Sequence, residues 1–148
     1  MLSHFFNSLV ATLPLAVRNS GGVAVFVRIL WVATLLTMSI LPGNEKGAAS
    51  AAIRLSRDEH FLYISVRGLN QLITVDLTQE KAAVADSVSS AGVHPRDFII
   101  SPDGRFLLIA NRQEGGIVCR EIDPESGRVK EVRSRITMPE AVSVILEE

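Results

Sequence analysis

Few side chains in this sequence are equipped for chemistry, and their spacing excludes most of what they could do. Cys119 is the single cysteine, so it has neither a disulfide partner in the chain nor a second thiolate with which to hold a metal. It alternates with apolar neighbours along a strand-like run and reads as core filling. A lone cysteine also suits a reducing compartment, and the cytoplasm is the expected location. The three histidines, His4, His60 and His94, are scattered. No His/Cys cluster, Gly-rich phosphate loop or serine nucleophile elbow occurs, so neither a metal nor a cofactor is expected. His60 and His94 fall in turn segments and are expected to be exposed. Asp58 and Asp103 stand in Ser-x-Asp turns, where a hydrogen bond back to the chain is a sufficient role for a carboxylate. Fifteen Lys+Arg against 16 Asp+Glu leave a net charge of -1. There is no basic excess to neutralise a run of phosphates, and no nucleic-acid partner is expected.

The elements that must position these residues are announced by a repeat. SRDEHFLYISVR at 56–67 and SPDGRFLLIANR at 101–112 share six of twelve residues at a constant offset of 45. Ser56, Asp58, Phe61, Leu62, Ile64 and Arg67 recur as Ser101, Asp103, Phe106, Leu107, Ile109 and Arg112. Ser-Pro-Asp-Gly is tight-turn chemistry, because Pro presets φ and Gly permits φ > 0. The apolar run after it reads as a strand of central-sheet composition. A polar turn follows, at 67–70 in the first copy and 111–116 in the second. Further strands are predicted at 71–77 and 82–88, and at 116–122 and 128–136, the last two joined by the hairpin turn Asp-Pro-Glu-Ser-Gly. About four short strands in about 45 residues is the signature of a propeller blade.

The first third is different. Residues 1–42 carry only two charged side chains, Arg18 and Arg28, and 22–41 form an almost uninterrupted apolar run. Two readings stand. One is a single membrane span, for which 20 residues suffice but in which Arg28 costs roughly 2.5–3.5 kcal/mol. The other is a pair of strands, 23–27 and about 32–40, rich in the Val, Ile, Thr and Phe that favour pleated surfaces and bounded by Ser-Gly-Gly and Pro-Gly-Asn turns. The repeat favours the strands: 13–18 aligns with 62–67, and 23–26 with 72–75. The expectation is thus an all-β propeller fragment of about three four-stranded blades, at 1–42 (degenerate), 43–90 and 91–148.

At these segments the sequence resembles the lactonase-type seven-bladed β-propellers, which include the bacterial 6-phosphogluconolactonases. The resemblance lies in AAIRLSRDEHFLYISVRG (51–68), GVHPRDFIISPDGRFLLIANR (92–112) and EIDPESGRVKEV (121–132). The family shows a strand ending in Asn-Arg-Gly, then Gly-x-x-Pro-Arg-Asp-Phe before a Ser-Pro-Asp-Gly turn, and an Asp-Pro-Glu-Thr-Gly-like hairpin. The resemblance implies metal-free hydrolysis of a sugar-phosphate lactone in the pentose phosphate pathway. A closed ring of 4 to 8 such blades needs roughly 180 to 350 residues. The chain therefore reads as the C-terminal part of a longer or truncated enzyme, with remaining blades absent or drawn from another chain.

The resemblance also nominates residues. Arg67 stands at the arginine of Asn-Arg-Gly and Arg96 at that of Pro-Arg, both at loops facing the channel in the family. Arginine suits a phosphate because its planar fork donates two parallel hydrogen bonds. His4 aligns with the histidine beside the family's Pro-Arg pair, a candidate for proton transfer. The acidic residue of the first blade is replaced by Arg18-Asn19-Ser20, which puts water activation in question. The alternatives are a non-catalytic propeller module docking a partner, membrane-anchored through 22–41, or a cyclase of the same superfamily acting on a muconate-type lactone.

Overall fold

The computed structural model describes residues 22–29, 32–39 and 48–147. The chain divides between Glu45 and Lys46 into two compact units. In the first, the apolar run is a hairpin of β1 (Gly22–Ile29) and β2 (Val32–Ser39), paired antiparallel without a slip from Gly22 opposite Ser39 to Ile29 opposite Val32. Among the described residues no helix is long and apolar enough to cross a membrane.

In the second unit, two antiparallel meanders follow one another. The first is β3 (Ala49–Leu55), β4 (Phe61–Arg67), β5 (Gln71–Asp76) and β6 (Ala83–Ser89). The second is β7 (Val93–Ile100), β8 (Phe106–Glu114), β9 (Ile117–Ile122) and β10 (Val129–Ile136). Each strand pairs with its sequence neighbour, which short loops and right-handed twist favour. The architecture is all-β, in four-stranded sheets of the propeller-blade kind.

Composition explains each strand's place. β4 is buried from Phe61 to Val66 on both faces, as its mostly apolar run demands, and its one serine, Ser65, accepts from the Ala52 amide. In β10 only Val129 is buried, and Lys130, Glu131, Arg133 and Arg135 blunt an edge that would otherwise invite further pairing. The second meander departs from the sequence expectation at one point. Residues 111–114 are polar and read as a turn, yet they continue β8, because Asn111 and Glu114 stand opposite Pro95 and Val93 of β7. The turn is confined to Gly115 and Gly116, both at positive φ.

The two sheets share one core. Phe61, Tyr63, Leu72 and Ala52 from the first pack with Phe98, Leu107, Ile109, Ile122 and Val129 from the second. Tyr63 spans the joint, its hydroxyl donating to the Gly127 carbonyl at 2.8 Å. Arg120, buried with no carboxylate partner among the described residues, donates to the carbonyls of Lys130 at 2.7 Å and Ser89 at 2.5 Å, and so ties the end of β6 to β10. The segment after β10 returns across the second sheet, where Ala141 and Val144 bury against Ala110. Asp97 pins it by accepting from Ser143 Oγ and the Val144 amide, and pairs with Arg54 of β3 at 3.0 Å.

The repeated turn has the same construction in both copies. Ser56 and Ser101 accept from the amides of Phe61 and Phe106 at 2.9 Å, and their hydroxyls donate to Asp58 and Asp103. The left-handed position carries different residues: Gly104 sits at φ 74°, and its counterpart is Glu59 at φ 63°. The left-handed region costs an L-residue roughly 1–2 kcal/mol, while glycine's greater chain entropy offsets about 0.5–1 kcal/mol of any gain. Glu59→Gly is therefore expected to raise stability by up to about 1 kcal/mol, read as a higher urea midpoint at unchanged m-value. A lower midpoint would show that the Glu59 side chain holds something the turn needs.

Candidate functional site

The repeat places Arg67 at the last residue of β4 and Arg112 near the end of β8. Both strands run toward the same end of the sheets as the start of β7, which carries His94 and Arg96. Arg96 is exposed and lies inside β7 rather than in a loop. The strand reaches it because register shifts flank Pro95 between Val93 and Asp97, which lets a residue with no amide hydrogen sit in a ladder. Arg67 is half-buried, and its Nε is enclosed with no hydrogen-bond partner among the described residues.

His94 departs most from expectation. It is not an exposed turn residue. It lies in β7, partly buried, with Nε2 enclosed and unpartnered among the described residues. Its backbone has φ 63°, and its amide donates to Asn70 Oδ1 at 2.8 Å. Asn70 is itself left-handed (φ 55°) and accepts from the Ser90 amide at 2.7 Å, so the loop after β4 sets the start of β7. Burial first, then the guanidinium charges of Arg67, Arg96 and Arg112, hold the His94 imidazole below its ordinary pKa. Three arginine charges thus bear on this one imidazole.

Of the residues nominated from the sequence, Arg67 and Arg96 are brought together, and His4 lies outside the described residues. His94 and Arg112 were missed. The signal for Arg112 was the repeat itself, which aligns it with Arg67. For His94 it was the spacing of two residues from Arg96. Cys119 stands opposite Leu108 in the ladder, partly buried. Among the described residues no set of three His, Cys, Asp or Glu side chains converges as a metal site.

The other end of the sheet joint holds an open cleft of about 290 Å³, floored by Phe61 and Tyr63 and edged by Asp58, Asp103 and Asp123. Its carboxylates are committed to turns. Asp123 accepts from Lys130 Nζ at 2.9 Å and from the amides of Glu125 and Ser126, and Lys130 first, then these amides, hold it well below the usual carboxylate range. The hydroxyl of Ser101, then the Arg105 amide, lowers Asp103. A carboxyl with a lowered folded pKa stabilises the fold above its unfolded value, about 3.9, and loses that contribution as pH falls through the folded value. The urea midpoint is thus expected to fall as pH is taken from about 5 to 2, and to fall less steeply in Asp123→Asn. An equal fall in the variant would assign the acid lability elsewhere.

Comparison with known proteins follows the same lines. A family model described as lactonase, 7-bladed beta-propeller, matches residues 30–146. The 6-phosphogluconolactonase of Bacillus subtilis is 32% identical over 103 residues, covering 68% of this chain and 29% of the relative. That of Formosa agariphila is 32% identical over 93 residues, 60% of this chain and 26% of the relative. The solved periplasmic gluconolactonase of Pseudomonas aeruginosa superposes with a TM-score of 0.74 at 30% identity, over 84% of this chain and 36% of that one. The chain spans a little under a third of the length of these curated relatives.

Proposed function

Because the chain belongs to the seven-bladed β-propeller lactonase family, we propose that it serves the hydrolysis of a sugar-phosphate lactone of the 6-phosphogluconolactone type, with Arg67 and Arg96 as its anion-holding residues. The observation that carries this reading is that the end of β4 with Arg67, the end of β8 with Arg112 and the start of β7 with Arg96 are the places from which positive charge acts on His94. Three guanidinium charges acting at one place favour an anion there. Arginine's fork matches a phosphate bidentately. The same charges favour the oxyanion that forms when water adds to a lactone carbonyl. In this reading 1–42, 43–90 and 91–148 are successive blades of a ring. The pathway is the pentose phosphate pathway and the compartment the cytoplasm.

The test is to follow acid release from 6-phosphogluconolactone and from the unphosphorylated lactone with the purified full chain. The expected result is hydrolysis above the spontaneous rate, with kcat/KM at least about tenfold higher for the phosphorylated substrate, the equivalent of about 1.4 kcal/mol of anion recognition. Hydrolysis of neither lactone above background would overturn the proposal. Equal rates would remove the phosphate from it.

A further inference from the structure

We propose that Asn70 is a positioning residue for anion recognition, setting where Arg96 stands relative to Arg67; the inference rests on the lactone reading above. Asn70 lies three residues beyond Arg67, in the turn that joins β4 to β5. Its backbone sits at φ 55°. Among non-glycine residues asparagine is one of the few at home there, because its short amide can bond locally. Held in that conformation, Asn70 makes two hydrogen bonds to a segment 20 to 24 residues later in the chain. Its Oδ1 accepts from the His94 amide at 2.8 Å, and its carbonyl accepts from the Ser90 amide at 2.7 Å. The two bonds bracket the link from β6 to β7, and Arg96 follows His94 by two residues.

The start of β7 needs such a clamp because its own ladder is broken there. Register shifts flank Pro95, which has no amide hydrogen to give to β8. His94 at φ 63° holds a conformation that costs a non-glycine residue energy and persists only where its surroundings impose it. The other end of the clamp is firm. Ser90 is fully buried, its hydroxyl donates to the Gly92 carbonyl at 2.9 Å, and its carbonyl accepts from Asn111 Nδ2 at 3.4 Å. Gly92 is packed so closely that a Cβ there would collide with the Glu114 carbonyl oxygen and the Asn111 side chain. Asn70 thus ties the turn that follows Arg67 to a fixed point beside Arg96. The two arginines come from different sheets, so no single ladder sets their spacing. Two guanidiniums grip one phosphate only at a matched separation, and a misplacement of about 1 Å can cost about 100-fold.

The experiment measures kcat and KM for 6-phosphogluconolactone and for the unphosphorylated lactone with the full-length wild type, Asn70→Gly, Arg96→Ala and the double variant. Glycine adopts φ 55° without strain, so Asn70→Gly keeps the turn and removes the Oδ1 bond, with the β-sheet circular dichroism as the check on folding. Asn70→Gly is expected to raise KM for the phosphorylated lactone about tenfold, with kcat within about twofold, the pattern of lost ground-state binding. For the unphosphorylated lactone neither constant is expected to change. In the Arg96→Ala background the same substitution is expected to cost less than about twofold, because the residue it positions is gone. An equal loss on both lactones, or the same factor with and without Arg96, would assign Asn70 a structural role only and overturn the positioning. So would Asn70→Gly matching the wild type on the phosphorylated lactone, with the lactone reading left intact. A wild type that hydrolyses neither lactone removes both.

Discussion

Replacing Arg67 and Arg96 together by alanine is expected to lower kcat/KM for the phosphorylated lactone by at least about 100-fold, with the β-sheet circular dichroism unchanged. Hydrogen bonds to charged groups are worth about 1.5–3 kcal/mol each, or roughly 10- to 150-fold. The two single variants are expected to differ. Arg67 is half-buried, so a bond from its guanidinium to an anion is less screened by water and counts for more. Arg96 is exposed, and its contribution is screened by salt. Arg67→Ala should therefore cost more than Arg96→Ala, and the Arg96 effect should shrink as salt is raised. Lysine at 67 restores the charge but not the fork and is expected to recover only part of the loss. Both singles within twofold of wild type would mean that the anion sits elsewhere.

The second large effect concerns the joint between the sheets. Phe98→Ala is expected to destabilise the chain by about 3–5 kcal/mol, a large share of the total for a domain of this size. Phe98 is fully buried and belongs to the core built from both sheets. Its loss removes contacts with residues of the first sheet as well as its own, and the surrounding ladders limit how far the cavity can collapse. Arg54 of β3 lies over the Phe98 ring at 5.8 Å, a further contact between the sheets. Phe106→Ala provides the contrast. Phe106 is only half-buried and lies outside that core, so its replacement should cost distinctly less. The comparison is made by urea unfolding at pH 7. Similar losses would show that the sheets are not held together chiefly through this core.

The strands were legible because their signals are local. Ser-x-Asp turns, the Asp-Pro-Glu-Ser-Gly hairpin and apolar runs of strand length each act within a few residues. Their recurrence at an offset of 45 turned separate strands into repeated sheets. The same locality made 111–114 misleading, because Asn-Arg-Gln-Glu has the composition of a turn and is kept extended only by pairing with β7. At the site, Arg67 and Arg96 could be named from motif position alone. His94 could not, since a histidine beside a proline in a turn-like stretch reads as exposed.

What the sequence determined by itself is the repeated strand, its turns and the arginine that closes it, because these depend on dihedral preference and alternation between neighbours. Only the tertiary structure decided that Arg67, Arg96 and Arg112 act on one imidazole, and that this imidazole is partly covered, which lowers its pKa. Charge coupling and desolvation are set by distances across strands whose arginines lie 18 and 27 residues from His94 in the chain, and no local pattern encodes those distances.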